Sequence, residues 1–337
     1  MLKGILGKLV EGKDLDKDEM TYFMSAIMEG KATPAQIGAF LVALRMKGET
    51  ITEITSAAKV IRDKAYKIEV KRDKPLVDTC GTGGDGKNTF NVSTVTAFVV
   101  AGAGLKVAKH GNRSVSSHCG SADVIEALGI NLELDIKKVA RCIDEIGIGF
   151  LFAPKFHPAM KYALSPRREL GLRTIFNILG PLTNPAKTTH QVIGVYDKKW
   201  LSPLAHVSKN LGLKGAMIVH GEGGYDEITI TGKTYIAELK EGEIFEYEIN
   251  PKSFGLNIAS EEEIKGKDRE YNAQLLKDIL LDKEKGAKYD MVLLNAAAVF
   301  KITNLVKNWE DGIDLAKEVI KSKKAYEKLE KLIKMAK

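Results

Sequence analysis

The 337-residue sequence predicts an α/β protein with a small all-helical domain and a larger α/β domain built on a mostly parallel central sheet. Three observations predict it. Residues 1–66 place their apolar side chains at helical spacing only. From Leu76 onward, short β-type runs alternate with helical ones, the pattern of strand–helix–strand units. Residues 158–180 turn helical again in the middle of that alternation, which predicts a return to the N-terminal helices. The expected division is therefore 1–70 plus about 158–186 for the helical domain, and 71–157 plus about 187–337 for the α/β domain.

The elements follow in order. Asp16 to Glu19 open a helix with apolar positions Met20, Phe23, Met24 and Ile27, and Gly30 stops it. Thr33 reads as a cap with Pro34 at the first helical position, ahead of Ile37, Phe40, Leu41 and Leu44. Thr52 reads as the cap of the next helix, through Ile54, Ala58 and Ile61. Strands are expected at 76–79, 106–108, 150–152, 191–195 and 216–219, with helices at 92–102, 121–128, 136–146 and 199–211. Asn177 to Pro185 reads as a rigid elbow between domains, since its prolines and glycine fix the chain path.

Composition excludes several classes of protein. With 44% apolar and 28% charged residues the chain has the usage of a globular protein, not of a disordered or fibrous one. No apolar run approaches the ~20 residues of a membrane helix. Met1 to Lys8 lacks the apolar core and cleavage pattern of a secretion signal. Cys80, Cys119 and Cys142 are odd in number and show no CxxC spacing, so they read as small reduced fillers, and the expected location is cytoplasmic. The net charge is +7, but only 9 of the 51 cations are Arg, and Lys is spread along the chain, often beside Glu. That is a solvated surface rather than a nucleic-acid reader, which concentrates Arg and aromatics. The amphipathic run from Lys321 to Ile333 reads as a packed terminal helix rather than a membrane-surface one.

Four segments carry chemistry. In the first, a strand ends at Asp78-Thr79 and four glycines follow within six residues: Gly81, Gly83, Gly84 and Gly86. A helix then opens at Asn91 or Ser93. Glycines let backbone amides approach a ligand, and the helix N-terminus adds unpaired N–H groups, so the segment is an anion cradle suited to pyrophosphate. It is not a Walker loop, and Asp85 inside it argues against a dinucleotide site unless a metal or ribose hydroxyl stands beside it. In the second segment, Lys109 to Asp123, ten of fifteen side chains can donate a hydrogen bond, which suits a phosphorylated sugar. The third, Gly221 to Glu227, ends in Asp226-Glu227 after a strand: a place for Mg²⁺, or an ordinary surface pair. In the fourth, Arg167 is either a fork for a carboxylate or a surface cation. His157, which precedes a proline, is either a ligand or a core histidine.

Taken together, Gly81 to Asp85 with Asn91 to Thr94, Lys109 to Arg113, Gly120 to Asp123, Arg167, Gly171 to Pro185 and Asp226-Glu227 resemble the anthranilate phosphoribosyltransferases in order and spacing, over essentially the whole chain. The resemblance implies the fold shared by class-III phosphoribosyltransferases and pyrimidine nucleoside phosphorylases, with the active site between the two domains. It implies a homodimer joined through the helical domain, a requirement for Mg²⁺, and a role in tryptophan biosynthesis. The implied reaction is transfer of phosphoribose from 5-phosphoribosyl 1-pyrophosphate to the amine of anthranilate. Mapped by motif, Gly81, Gly84, Asp85, Thr89, Asn91, Val92, Ser93 and Thr94 would hold the pyrophosphate and ribose. Lys109, His110, Gly111, Asn112, Arg113, Ser114, Val115, Ser116, Ser117 and Ser121 would complete that pocket. Ser93, Asp226 and Glu227 would hold Mg²⁺, and Gly81, Asn112 and Arg167 would meet anthranilate, with His157 at the entry. No classical acid–base residue is implied. The sequence departs from the family at His118-Cys119, where Lys or Arg with Ser is common, and at Phe156, where another histidine is frequent. A nucleoside phosphorylase of the same fold typically has a longer chain and lacks these motif combinations. A nucleic-acid-binding relative without activity would show them eroded, and here they are intact.

Overall fold

Three of the N-terminal helices begin with reciprocal capping boxes, in which a side chain accepts the N3 amide while the N3 side chain reaches back. In the computed structural model, which describes residues 1–114 and 119–337, α1 (Leu2–Val10) is followed by α2 (Lys17–Met28), α3 (Pro34–Lys47) and α4 (Ile51–Lys64). The boxes are Asp16 with Glu19, Thr33 with Gln36, and Thr50 with Glu53. Thr50, not Thr52, is thus the cap of α4. The Thr50-x-x-Glu53 spacing places a carboxylate where it can take the Thr50 amide, and Thr52 falls inside the first turn.

The α/β part runs β1 (Leu76–Asp78), α5 (Val92–Gly102), β2 (Lys106–Gly111), α6 (Ser121–Ala127), α7 (Ile136–Arg141), β3 (Ile148–Phe152) and α8 (Ala153–Phe156). Next come α9 (Lys161–Leu170), α10 (Phe176–Leu182), β4 (His190–Gly194), α11 (Leu201–Asn210) and β5 (Gly215–Gly221). The chain ends with β6 (Thr234–Lys240), β7 (Glu243–Ile249), α12 (Arg269–Leu280), α13 (Ala287–Ile302), α14 (Trp309–Lys321) and α15 (Lys324–Met335). The seven-stranded sheet has the order β3-β2-β1-β4-β5-β6-β7, parallel from β3 to β5 and antiparallel for β6 and β7. Since β2 and β3 lie on one side of β1 and β4 on the other, strand order reverses between β1 and β4. Such a switch point leaves a crevice at the strands' carboxyl ends, where ligands bind in open α/β sheets.

Several expectations are corrected. The β6–β7 hairpin lies in a region read as having no strand. Its turn uses Glu241 and Gly242, both at positive φ, and Glu-Gly is not among the usual hairpin signals. Strand β7 is a mostly exposed edge carrying Glu243, Glu246 and Glu248, although Phe245-Glu246-Tyr247-Glu248-Ile249 does alternate apolar and polar residues. The helix expected over 136–146 is α7 followed by a π-helical turn, Cys142–Ile146, that ends at left-handed Gly147. Gly120 is the N-cap of α6, and the Ser121 hydroxyl in its first turn donates to the Asn112 carbonyl at 3.4 Å. The Asn177–Pro185 stretch is largely α10, with Pro181 inside the helix.

Apolar packing forms two cores. One joins α5, α12, α13, α14 and α15 to the sheet. The other joins the N-terminal helices to Ala163 of α9, to Ile178, Leu179 and Leu182 of α10, to α11, and to Ile193, Ile218 and Leu239 on the sheet. Buried Arg62 on α4 ties this second core together: Nε donates to the Leu182 carbonyl at 2.6 Å and Nη1 to the Leu211 carbonyl at 3.5 Å, at the ends of α10 and α11. Burial pulls its pKa down to about 10.

Fully buried Glu53 shows how the helical part is fixed. Its carboxylate accepts from the Leu15 amide at 2.8 Å, the Thr50 amide at 2.7 Å and the Lys47 ammonium at 3.0 Å. Glu53→Ala leaves two amides and a buried ammonium without that acceptor, a loss of about 3 kcal/mol. The expected result is a lower urea midpoint; an unchanged midpoint would show that Glu53 does not carry this load.

Candidate active site

Loops from the carboxyl ends of β1, β2 and β5 meet at the switch point and line a cleft of about 420 Å³. The first wall is the glycine loop. Gly83, Gly84 and Gly86 all hold positive φ, which a side chain would resist. The Gly83 amide donates to Asp226 Oδ2 at 2.6 Å, the Lys87 amide to Asp85 Oδ1 at 3.0 Å, and the Thr82 amide to the Gly194 carbonyl at 2.8 Å. Gly194 ends β4 so close to the next loop that a Cβ there would lie 1.6 Å from the Asp226 carbonyl oxygen. Asn91 caps α5 by position only. Its Nδ2 donates across the cleft to the Cys119 carbonyl at 3.2 Å, leaving the first-turn amides to other acceptors.

One of those acceptors is Glu227, which takes the Ser93 amide. Asp85, Asp226 and Glu227 converge here. Burial, then the Asp85 carboxylate and its hydrogen bond, push Asp226 up to about 7. Burial above all, then the charge of Asp226, raises Glu227 well above the usual carboxylate range; Lys109 and the Ser93 amide pull the other way without offsetting it. Hard oxygen donors held together against their own repulsion fit a divalent cation of the Mg²⁺ kind, which takes one or two carboxylates and leaves positions for phosphate and water. Ser93 lines the same cleft beside Glu227.

The second wall follows β2. Buried Lys109 donates to the His110 carbonyl at 3.1 Å. His110, Gly111, Asn112, Arg113, Ser114 and Ser121 line the cleft, while Val115, Ser116, Ser117 and His118 lie outside the described residues. Arg113 is held by Asp123 at 2.9 Å and Glu126 at 2.8 Å. Across the cleft, half-buried Arg167 lies over the Phe176 ring at 4.9 Å. Burial lowers its pKa, and a guanidinium in that setting is ready for a carboxylate partner.

Not every expected residue faces the cleft. Val92 is fully buried, and Thr94 is buried with its hydroxyl unpartnered, so both serve α5 packing through their side chains. His157 stands behind His110, with ring centroids 5.2 Å apart, and does not line the cleft itself. Phe156 is core, and its carbonyl accepts from the Tyr66 amide. Conversely, Asn177, Gly180 and Pro181 line the cleft from the segment expected to be an elbow, and Arg173 and Phe176 line it from just before that segment. Arg173 donates to the Gly84 carbonyl and lies over Tyr196 at 4.2 Å, while Arg45 of α3 donates to its carbonyl at 2.7 Å.

A further cluster, Asp78, Cys80 and His110, brings three ligand-type atoms within 4.8 Å of one another. Asp78 already accepts from the His110 amide at 3.2 Å, Asn184 at 2.8 Å and Gln191 at 3.4 Å, and Lys109 faces it. It is a structural tie between β1, β2 and the segment after α10.

The helical-bundle domain of the glycosyl transferase family matches residues 3–65, and the a/b domain of that family matches residues 73–326. An anthranilate phosphoribosyltransferase of Persephonella marina is 54% identical over 98% of each chain. The crystal structure of anthranilate phosphoribosyltransferase from Thermus thermophilus superposes with a TM-score of 0.94 at 42% identity, over 98% of this chain and 99% of that one. The Saccharomyces cerevisiae enzyme in complex with PRPP and Mg superposes with a TM-score of 0.91 at 29% identity, over 99% and 97%. The chain belongs to the glycosyl transferase family and, within it, to the anthranilate phosphoribosyltransferases.

Burial lowers His157 to about 4 and His190 to about 4, and pushes His110 well below its usual value, with His157 and Lys109 adding to the effect. Each binds its proton more weakly folded than unfolded, where a histidine titrates near about 6.5. Each histidine therefore contributes stability that is level above about pH 6.5 and lost as pH drops toward about 4, while the raised carboxyls of Asp226 and Glu227 act in the opposite sense. Relative to the wild type, His157→Gln should gain melting temperature as pH drops from about 6.5 toward about 4; a constant difference between the two would remove His157 from the account.

Proposed function

We propose that this chain transfers the phosphoribosyl group of 5-phosphoribosyl 1-pyrophosphate to the amine of anthranilate, giving N-(5-phosphoribosyl)anthranilate and pyrophosphate, a step of tryptophan biosynthesis. The observation that carries the reading is one cleft with two chemistries. Glycine-loop amides, the α5 N-terminus and the acids after β5 lie on one side, and Arg167 over Phe176 lies on the other.

The amides from Gly81 to Asp85 and the first turn of α5 cradle the pyrophosphate. Lys109 and the donors from Asn112 to Ser121 hold the phosphoribose. Asp226 and Glu227, with Ser93, would hold Mg²⁺, which supplies charge neutralisation for the leaving group. As the C1–O bond breaks, pyrophosphate takes the electron pair, ribose gains oxocarbenium character, and the aniline nitrogen forms the new bond and sheds a proton. Leaving-group stabilisation governs such a step more than a strong base does. Arg167 would fork onto the anthranilate carboxylate, with Gly81 and Asn112 beside the ring, and buried His157 acts through His110. The lobe formed by residues 1–70 and about 158–186 closes on the rest to exclude water, which would otherwise hydrolyse the donor. The proposed assembly is a cytoplasmic homodimer, in which Met46, Tyr162 and Leu164, exposed on the packed pair α3 and α9, would lie at the interface.

Anthranilate fluorescence should fall when the protein, 5-phosphoribosyl 1-pyrophosphate and Mg²⁺ are mixed, and persistence of the signal sinks the reading. Arg167→Ala should raise the anthranilate KM by about 10- to 100-fold, as expected for a lost charged hydrogen bond, with little change in the KM of the sugar donor. Equal effects on both substrates would reject its assigned role.

A further inference from the structure

Asp226 and Glu227 sit on the loop between β5 and β6, and the next residue, Ile228, is gripped from behind. Asn295, near the middle of α13, is 3% exposed. Its Oδ1 accepts the Ile228 amide at 3.3 Å, and its Nδ2 donates to the Ile228 carbonyl at 2.9 Å and to the Met291 carbonyl at 2.8 Å. The side-chain amide thus takes both backbone groups of one residue, as a neighbouring strand would. Among the described contacts nothing else fixes Ile228 so fully on the side away from the cleft.

The same side chain, with Ser93 and Glu227, lines a small interior void of about 10 Å³ behind the carboxylates. Helix α13 also packs along α5, whose Ser93 amide Glu227 accepts. From the front, the Gly83 amide holds Asp226, and Gly194 presses on its carbonyl. The acid pair is therefore clamped between β4 and the glycine loop on one side and α13 on the other.

We propose that Asn295 is a positioning residue for the cation-binding carboxylates: by fixing Ile228 it sets where Asp226 and Glu227 stand, and hence the affinity for the divalent ion. The inference rests on the reading of Asp226 and Glu227 as cation ligands. Groups behind a metal's ligands that fix their orientation typically change metal affinity 10- to 100-fold when removed.

The test uses Mn²⁺ as the probe, titrated into the full chain with 5-phosphoribosyl 1-pyrophosphate present and followed by the electron paramagnetic resonance signal of the free ion. Asn295→Ser keeps a hydroxyl that can bond the Met291 carbonyl one turn back but cannot reach Ile228. Asn295→Leu removes all three bonds at similar size. Both should weaken Mn²⁺ binding about tenfold or more. Both should also raise the Mg²⁺ concentration for half-maximal rate by the same factor, leave the anthranilate KM unchanged, and recover kcat at excess Mg²⁺. Val299→Ala, one turn further along α13 and fully buried, should lower the melting temperature without moving Mn²⁺ affinity. If Asn295→Leu does not fold, Asn295→Ser decides. Wild-type Mn²⁺ affinity in a folded Asn295→Ser overturns the proposal, as does an equal loss in Val299→Ala, which would mean general softening of α13. Failure of the wild-type chain to bind Mn²⁺ overturns the reading of the two acids together with the proposal.

Discussion

Acidic groups that repel one another, held at the point where strand order reverses, are the constraint around which this molecule is arranged. Asp85, Asp226 and Glu227 come from loops after β1 and β5, and they meet because β4 separates those strands by one position. Their approach is sterically tight: β4 ends in Gly194 because the Asp226 backbone passes where a side chain would stand. The neighbouring architecture then supplies donors from the backbone. The Gly83 amide, the Ser93 amide at the head of α5 and buried Lys109 all face this group. A site that gathers negative charge and surrounds it with N–H donors can take a cation and a polyanion together but is ill-suited to either alone.

How much of this can be read from the chain follows from where each signal is local. The caps at Asp16 and Thr33, helix 92–102 and five parallel strands are legible because each is written in a few adjacent residues. The glycine loop and the cleft wall from Lys109 to Ser114 are legible for the same reason. The hairpin of β6 and β7 is not: its Glu241-Gly242 turn is no usual hairpin signal, and its outer strand is an exposed, glutamate-bearing edge. Thr52 passes for a cap in the sequence because the competing Thr50 is distinguished only by a partner three residues on. In the site, Val92 and Thr94 share a motif with Ser93 yet point into the core, since successive helix positions turn about 100° apart. The return of residues 158–180 is legible as helical spacing, but the contact of Arg173 and Asn177 with the cleft is tertiary and has no local pattern. The role of Asn295 is equally invisible, being a contact between residues 67 apart in the chain.

Polar joints, more than apolar area, set how the parts register. Asn184 donates to Asp78 and to the Ala108 carbonyl, both at 2.8 Å, locking the segment after α10 onto β1 and β2. Arg173 spans from Gly84 to Tyr196 while Arg45 holds its carbonyl, so α3 is connected to the phosphate loop through a single arginine. These bonds have direction, which packing alone lacks, and a site assembled from many separate segments needs directions fixed.

The second apolar core crosses the boundary that the chain order suggests. Helix α11 covers one face of the sheet and is itself covered by α4, with Arg62 closing the ends of α10 and α11. The first seventy residues are therefore roof tiles for the sheet as well as a bundle in their own right. A grafting or shuffling scheme that cuts at the linear junction would strip that roof, so exchange between relatives should succeed only when α11 and α10 travel with the bundle.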